Sequence, residues 1–196
     1  TSLTCTTTAH AAGAVTVTVT NADTQQGSKS TAFTYVDAPT VLSVSPNSGP
    51  TPGGTSVTLT GTGFTGTPSV TFGGAACTAV NRTSATSLTC VTPARPAGAV
   101  TVIVTNPDTQ QGSKPTAYTY VAAPTVVSVS PSGGPLAGGA AVTVAGTGFT
   151  GTPTVTFGGA ACTSVNRTSA TSLTCVTPAR PAGAVTVVVT NSDSQQ

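Results

Sequence analysis

"TSVTLTGTGFTGTPSVTFGG", residues 55 to 74, carries two short runs in which apolar and polar residues alternate. Val57 and Leu59 share one face of the first run, and Val70 and Phe72 share one face of the second. Alternation of period two with β-branched enrichment marks a half-buried strand, because successive side chains of a strand point to opposite faces. Between the runs stands "GTGFTGTP", a turn of glycines closed by a proline. Working outward, "AVTVIVT" places Val100, Val102 and Val104 on one face and "TAYTYV" does the same for Tyr118 and Tyr120. "PNSGPTPGG", "TPARPAG" and "NPDTQQGS" separate these runs as turns. About seven short strands at this spacing predict two antiparallel sheets packed face to face, so the fold class is all-β, an immunoglobulin-like β-sandwich.

The same residues return further along. "GTGFTGTP" starts at Gly61 and again at Gly146, and 146 − 61 gives a period of 85. "APTV" at 38 and 123 and "TSLTC" at 1, 86 and 171 keep that period. A strict repeat makes the repeat the structural unit. The expected organisation is the C-terminal part of one repeat over 1–36, a complete repeat over 37–121, and a repeat lacking its last strand over 122–196. Fragments at both ends lead to the expectation that the chain is a window on a longer array.

Composition excludes several classes. Charged residues are 5% of the chain and the net charge is +2, with six Lys and Arg scattered along it. A nucleic-acid binder needs a clustered basic face to engage phosphates, so no nucleic-acid partner is expected. No apolar run reaches the ~18–20 residues of a membrane helix.

"PNSGPTPGGTSVTLTGTGF" (46–64), "VTFGGAAC", "TSLTCVTP", "AVTVIVTN" and a closing "AYTYV" resemble, in order and spacing, the IPT/TIG domain, an immunoglobulin-like module. The Gly-Pro-x-x-Gly-Gly turn and the Gly-x-Gly-Phe after the second strand are the most specific pieces. The likeness covers the complete repeat and the present parts of its neighbours. Such domains occur in receptor stalks, bacterial surface and secreted proteins, beside carbohydrate-active enzymes and in some DNA-binding transcription factors, so the resemblance alone leaves the function open.

The cysteines narrow it. Cys77 ends the "VTFGGAAC" strand and Cys90 ends "TSLTC", and Cys162 and Cys175 repeat the arrangement. Extracellular members of the family often carry a similar pair, which implies disulfides Cys77–Cys90 and Cys162–Cys175, each tying a loop to the sandwich. Closing a loop of this size contributes roughly 3 kcal/mol in the chain-entropy treatment. Disulfides persist in oxidising compartments, so the implied location is extracellular or at the cell surface. Buried free thiols are the alternative; a metal site would need further Cys or His nearby, and neither copy supplies one. Cys5 has no partner thirteen positions upstream and stays unpaired within this window.

Other signals read as structure. Gly61, Gly63 and Gly66 spell a dinucleotide-binding loop, but that chemistry needs a following helix N-terminus, and Pro68 and a strand follow. His10 is replaced by Arg95 and Arg180 in the other copies, without Glu or a nearby Asp, so no catalytic set forms and no enzyme is expected. Asp23, Asp108 and Asp193 recur in "TNxDxQQ" as turn caps rather than a calcium site. Tyr118 and Tyr120 read as core filling ahead of a sugar platform. Asn81 and Asn166 begin glycosylation sequons in a predicted loop. No metal or cofactor is expected.

Architecture then carries the function. Units meet through "YVDAPTV" and "YVAAPTV", joints too short and proline-stiffened to swing freely. The expected role is a rigid extracellular stalk or filament, a fibre or adhesin shaft, whose partners are neighbouring repeats and other copies of the chain; weak charge and few edge lysines favour lateral assembly. The alternatives are a carbohydrate- or protein-binding module, recognising its ligand through the divergent turn "PNSGPTPGGTS" against "PSGGPLAGGAA", or an accessory segment of a large secreted enzyme.

Overall fold

The computed structural model describes residues 2–196, and every regular element among them is a strand. A hairpin comes first, β1 (Gly13–Thr20) antiparallel to β2 (Gln26–Tyr35). The middle unit follows with β3 (Thr40–Ser45), β4 (Ser48–Pro50), β5 (Ser56–Thr62), β6 (Ser69–Phe72), β7 (Ala75–Ala76), β8 (Thr78–Arg82), β9 (Ser87–Val91), β10 (Gly98–Thr105) and β11 (Gln111–Val121). The third unit has β12 (Thr125–Ser130), β13 (Ala141–Thr147), β14 (Thr154–Phe157), β15 (Ala160–Ala161), β16 (Thr163–Ser169), β17 (Ser172–Val176) and β18 (Val187–Thr190).

The middle unit is a two-sheet sandwich. One sheet runs β3-β5-β9-β8 and the other β4-β11-β10-β6-β7. Alternation in sequence becomes alternation in burial: Val57, Leu59 and Leu88 from the first sheet meet Val70, Phe72, Val102, Val104, Tyr118 and Tyr120 from the second in one buried cluster. Tyr118 lies edge-on to both Phe72 and Tyr120, with centroids 5.2 and 5.0 Å away, the arrangement that ring quadrupoles favour. Pairing of β10 with β11 slips by a bulge between Val100 and Val102. That slip explains why Val100, expected to share the face of Val102 and Val104, is only half-buried.

The third unit repeats the first sheet as β12-β13-β17-β16, but its second sheet has three strands, β15-β14-β18. Residues 122–196 hold no counterpart of β11. Its smaller core keeps Val142, Val144, Phe149, Val155 and Leu173 buried, while Phe157 and Val187, counterparts of fully buried Phe72 and Val102, are only partly covered.

Candidate functional site

The joints between units, and what fixes each unit on either side of them, make the candidate site. β2 ends at Tyr35 and β3 begins at Thr40; β11 ends at Val121 and β12 begins at Thr125. Only Val36–Pro39 and Ala122–Pro124 lie between. Each joint rests on the glycine turn of the unit that follows. A Cβ on Gly63 would touch Ala38 O at 3.4 Å, and one on Gly148 would touch Ala123 O at 3.3 Å. Gly63 and Gly148 have φ of 69° and 70°, a conformation that glycine adopts without steric cost. Gln110 Nε2 donates to Val36 O at 3.1 Å, and Thr51 N donates to Val121 O at 3.1 Å, so both joint entrances are tied by hydrogen bonds.

Two side chains hold that glycine turn in shape. Asn106, buried, donates from Nδ2 to Gly63 O at 2.7 Å and accepts from Thr65 N at 3.2 Å. Asn191 repeats both bonds to Gly148 O and Thr150 N. Arg82 donates from Nε to Gly66 O at 3.0 Å, and Arg167 does the same to Gly151 O at 3.3 Å. Sequence reading missed both roles. The asparagines recur at the repeat period beside the turn-capping aspartates, but recurrence cannot say which polar residue turns inward.

Disulfides join Cys77 to Cys90 and Cys162 to Cys175, each with 6.0 Å between Cα atoms. Cys77 lies between β7 and β8, where the chain crosses from one sheet to the other, and Cys90 lies within β9. The enclosed segment is therefore not the loop expected from sequence. It contains β8, which pairs antiparallel with β9 and presents Arg82 to the glycine turn. Cys5 is free and exposed.

Asn81 and Asn166 are exposed, but on edge strands β8 and β16 rather than in a loop, because the polar run "TAVNR" extends alongside the alternating β9. Asp108 accepts from Gln110 N at 3.1 Å and from its Nε2 at 3.0 Å, and Asp193 accepts from the corresponding atoms of Gln195; Asp23 accepts from Gln25 N. All three are turn caps. His10 is exposed, with its ring 5.0 Å from that of Tyr35. Tyr118 and Tyr120 are 0% and 1% exposed, which removes them as a sugar platform. Burial raises the Tyr120 phenol to about 12, neighbouring Tyr118 adds to the shift, and the Arg95 guanidinium opposes it. Among the described residues no three His, Cys, Asp or Glu side chains gather as a metal site, and no helix is long and apolar enough to cross a membrane.

The sequence model of the IPT/TIG domain matches residues 39–120 and 124–196. No curated protein matches the sequence. Among solved structures, the plexin A4 extracellular region is 26% identical with a TM-score of 0.45, over 90% of this chain and 16% of that one. The surface glycan-binding protein SGBP-B from a xyloglucan utilization locus of Bacteroides uniformis is 19% identical with a TM-score of 0.37, over 81% of this chain and 47% of that one. SGBP-B of a Bacteroides ovatus mixed-linkage glucan utilization locus, solved with a heptasaccharide, is 16% identical with a TM-score of 0.36, over 92% and 47%. This chain thus spans less than half of each of these proteins.

Proposed function

Because the chain belongs to the IPT/TIG family, we propose that it is a mechanical spacer: a series of disulfide-tied sandwiches on the outside of a cell, forming a stalk or fibre shaft rather than a catalyst. The observation that carries this reading is the joint. Four residues or fewer separate one unit from the next, each joint ends in a proline, and each lies against the turn of the unit that follows it. A connection of that length, held in the first joint by Gln110 on Val36 O, has little freedom to bend. The buried turn asparagines and the arginine clamps hold the surface against which the joint rests. The disulfides support an oxidising location.

The test is solution scattering of the 196-residue chain beside a variant with a Gly-Ser-Gly-Ser insertion after Ala122. The parent is expected to fit one arrangement of the middle and third units, and the insertion to demand a broad ensemble. If the parent already scatters as a flexible ensemble, the spacer reading fails.

A further inference from the structure

A sheet edge offers unpaired N–H and C=O groups to any other strand, and lysine is a common deterrent. None of the edge strands of the middle unit carries one: they are β3 and β8 in one sheet, β4 and β7 in the other. β7 has two residues, and β4 has three and ends in Pro50. β3 is broken by a register shift between Val41 and Ser43 that leaves Leu42 exposed. β8 has five residues, and its one charge, Arg82, is folded onto Gly66 O and Phe64 O. An extra residue disables this last edge. Pairing with β9 jumps from Thr78 opposite Val91 to Asn81 opposite Thr89, and Ala79 has a φ of 49°. Such a bulge leaves one residue unpaired and bends the strand, so a straight partner cannot lie along it.

An L side chain takes that φ at a steric cost, whereas glycine does not. In the third unit Ser164 stands at the same position with a φ of 50°, so two different residues, neither of them glycine, are held alike. The side chains on either side supply the cause. Cys77, bonded to Cys90, belongs to the core, and Val80 packs against the same core. In an unbroken strand residues three apart face opposite ways. Both can point inward only with one extra residue between them, and Ala79 is that residue. Cys162, bonded to Cys175, and Val165 repeat the conflict in the third unit, and the jump in pairing recurs there from Thr163 to Asn166.

We propose that each disulfide fixes the register of its edge strand. By holding Cys77 on Cys90 while Val80 occupies the core, the bond keeps β8 bulged and so keeps the sandwich from pairing with the β8 edge of a second copy. Without the bond, the direction in which residue 77 faces is no longer fixed, and the spare residue passes into the crossing from β7. Ala79, Val80 and Asn81 then alternate regularly opposite Val91, Cys90 and Thr89, and the edge is straight. Two such edges match, because each copy brings the same strand, and antiparallel pairing about a two-fold axis joins copies side by side. The lateral assembly expected from weak charge is therefore opposed in the disulfide-bonded chain. This role is separate from the stiffness of the joints.

Deleting Ala79 and Ser164 separates the bulge from the bond, because the shortened strands point residues 77 and 80 inward without a bulge and leave both disulfides closed. Sedimentation of the full chain, in a Cys5→Ser background that removes intermolecular disulfides, is followed from micromolar to sub-millimolar concentration. The deletion variant is expected to associate about tenfold or more tightly than its parent, with slowed amide exchange along β8. Replacing Cys77, Cys90, Cys162 and Cys175 by alanine, with no deletion, is expected to produce the same association. Adding Ala79→Gly and Ser164→Gly to that cysteine-free chain should reverse it, since glycine keeps the positive φ unaided. A parent that associates as tightly as the deletion variant, or glycine substitutions without effect in the cysteine-free chain, would each overturn the proposal.

Discussion

Replacing Cys77 and Cys90 together by alanine changes the middle unit in a way that force and stability both report. The two positions are thirteen residues apart in sequence and 6.0 Å apart between Cα atoms. With the bond closed, tension on an unfolded unit cannot reach the enclosed segment. With it absent, thirteen residues at ~3.4 Å each become available, less the 6.0 Å already spanned, so the unit's contour-length gain grows by about 40 Å. The same loop contributes roughly 3 kcal/mol through the entropy of the unfolded chain. Removing two sulfur atoms from sites 9% and 1% exposed adds on the order of 1 kcal/mol in lost packing. The assay is single-molecule stretching of the whole chain without reductant. Parent molecules should show the short gain, and the variant should show one lengthened unit that unfolds at lower force. Reductant should lengthen the middle and the third unit of the parent by that amount each, because both carry a disulfide. If parent and variant give equal gains under oxidising conditions, the two thiols are not joined and the extracellular argument built on them fails.

Three further outcomes follow from the packing. The Tyr120 phenol is raised to about 12, above its unfolded value near 10; its contribution is complete below pH ~10 and is lost as pH rises through ~12, on the order of 2–3 kcal/mol, which a series of alkaline thermal melts would reveal and Tyr120→Phe would abolish. Phe72→Ala should cost ~3–5 kcal/mol, whereas Phe157→Ala at the same repeat position should cost clearly less because its ring is partly in water, a difference that denaturant titration of the two variants in the full chain resolves. Asn106→Ala removes two hydrogen bonds and strands Gly63 O and Thr65 N, so a loss of roughly 1–3 kcal/mol is expected, together with faster amide exchange at Thr65 measured by NMR.

Much of the architecture is legible in the sequence. Alternation at Val57, Leu59, Val70 and Phe72 survives as the buried face of two sheets because a period of two leaves a strand only one way to bury its apolar side. The period of 85 set the units, and the joints were visible as short proline-bearing segments. The turn-capping aspartates were legible too, since an Asp two residues before a backbone N–H caps locally. Less was visible inside the disulfide-enclosed segment. "TAVNR" carries no strong alternation, and it becomes strand β8 only because β9 offers it an edge. Asn106 and Asn191 are buried for a similarly non-local reason: the carbonyls they satisfy lie 43 residues away.

The sequence by itself determined the class, the unit and the places where units meet, because period-two patterning and glycine and proline turns are properties of neighbouring residues, and the 85-residue recurrence is read directly along the chain. Only the tertiary structure decided which polar residue of a turn belongs to the core. Asn106 is buried and Asp108, two residues on, is exposed, because Asn106 meets the Gly63 carbonyl brought to it by the fold, whereas Asp108 caps its own turn.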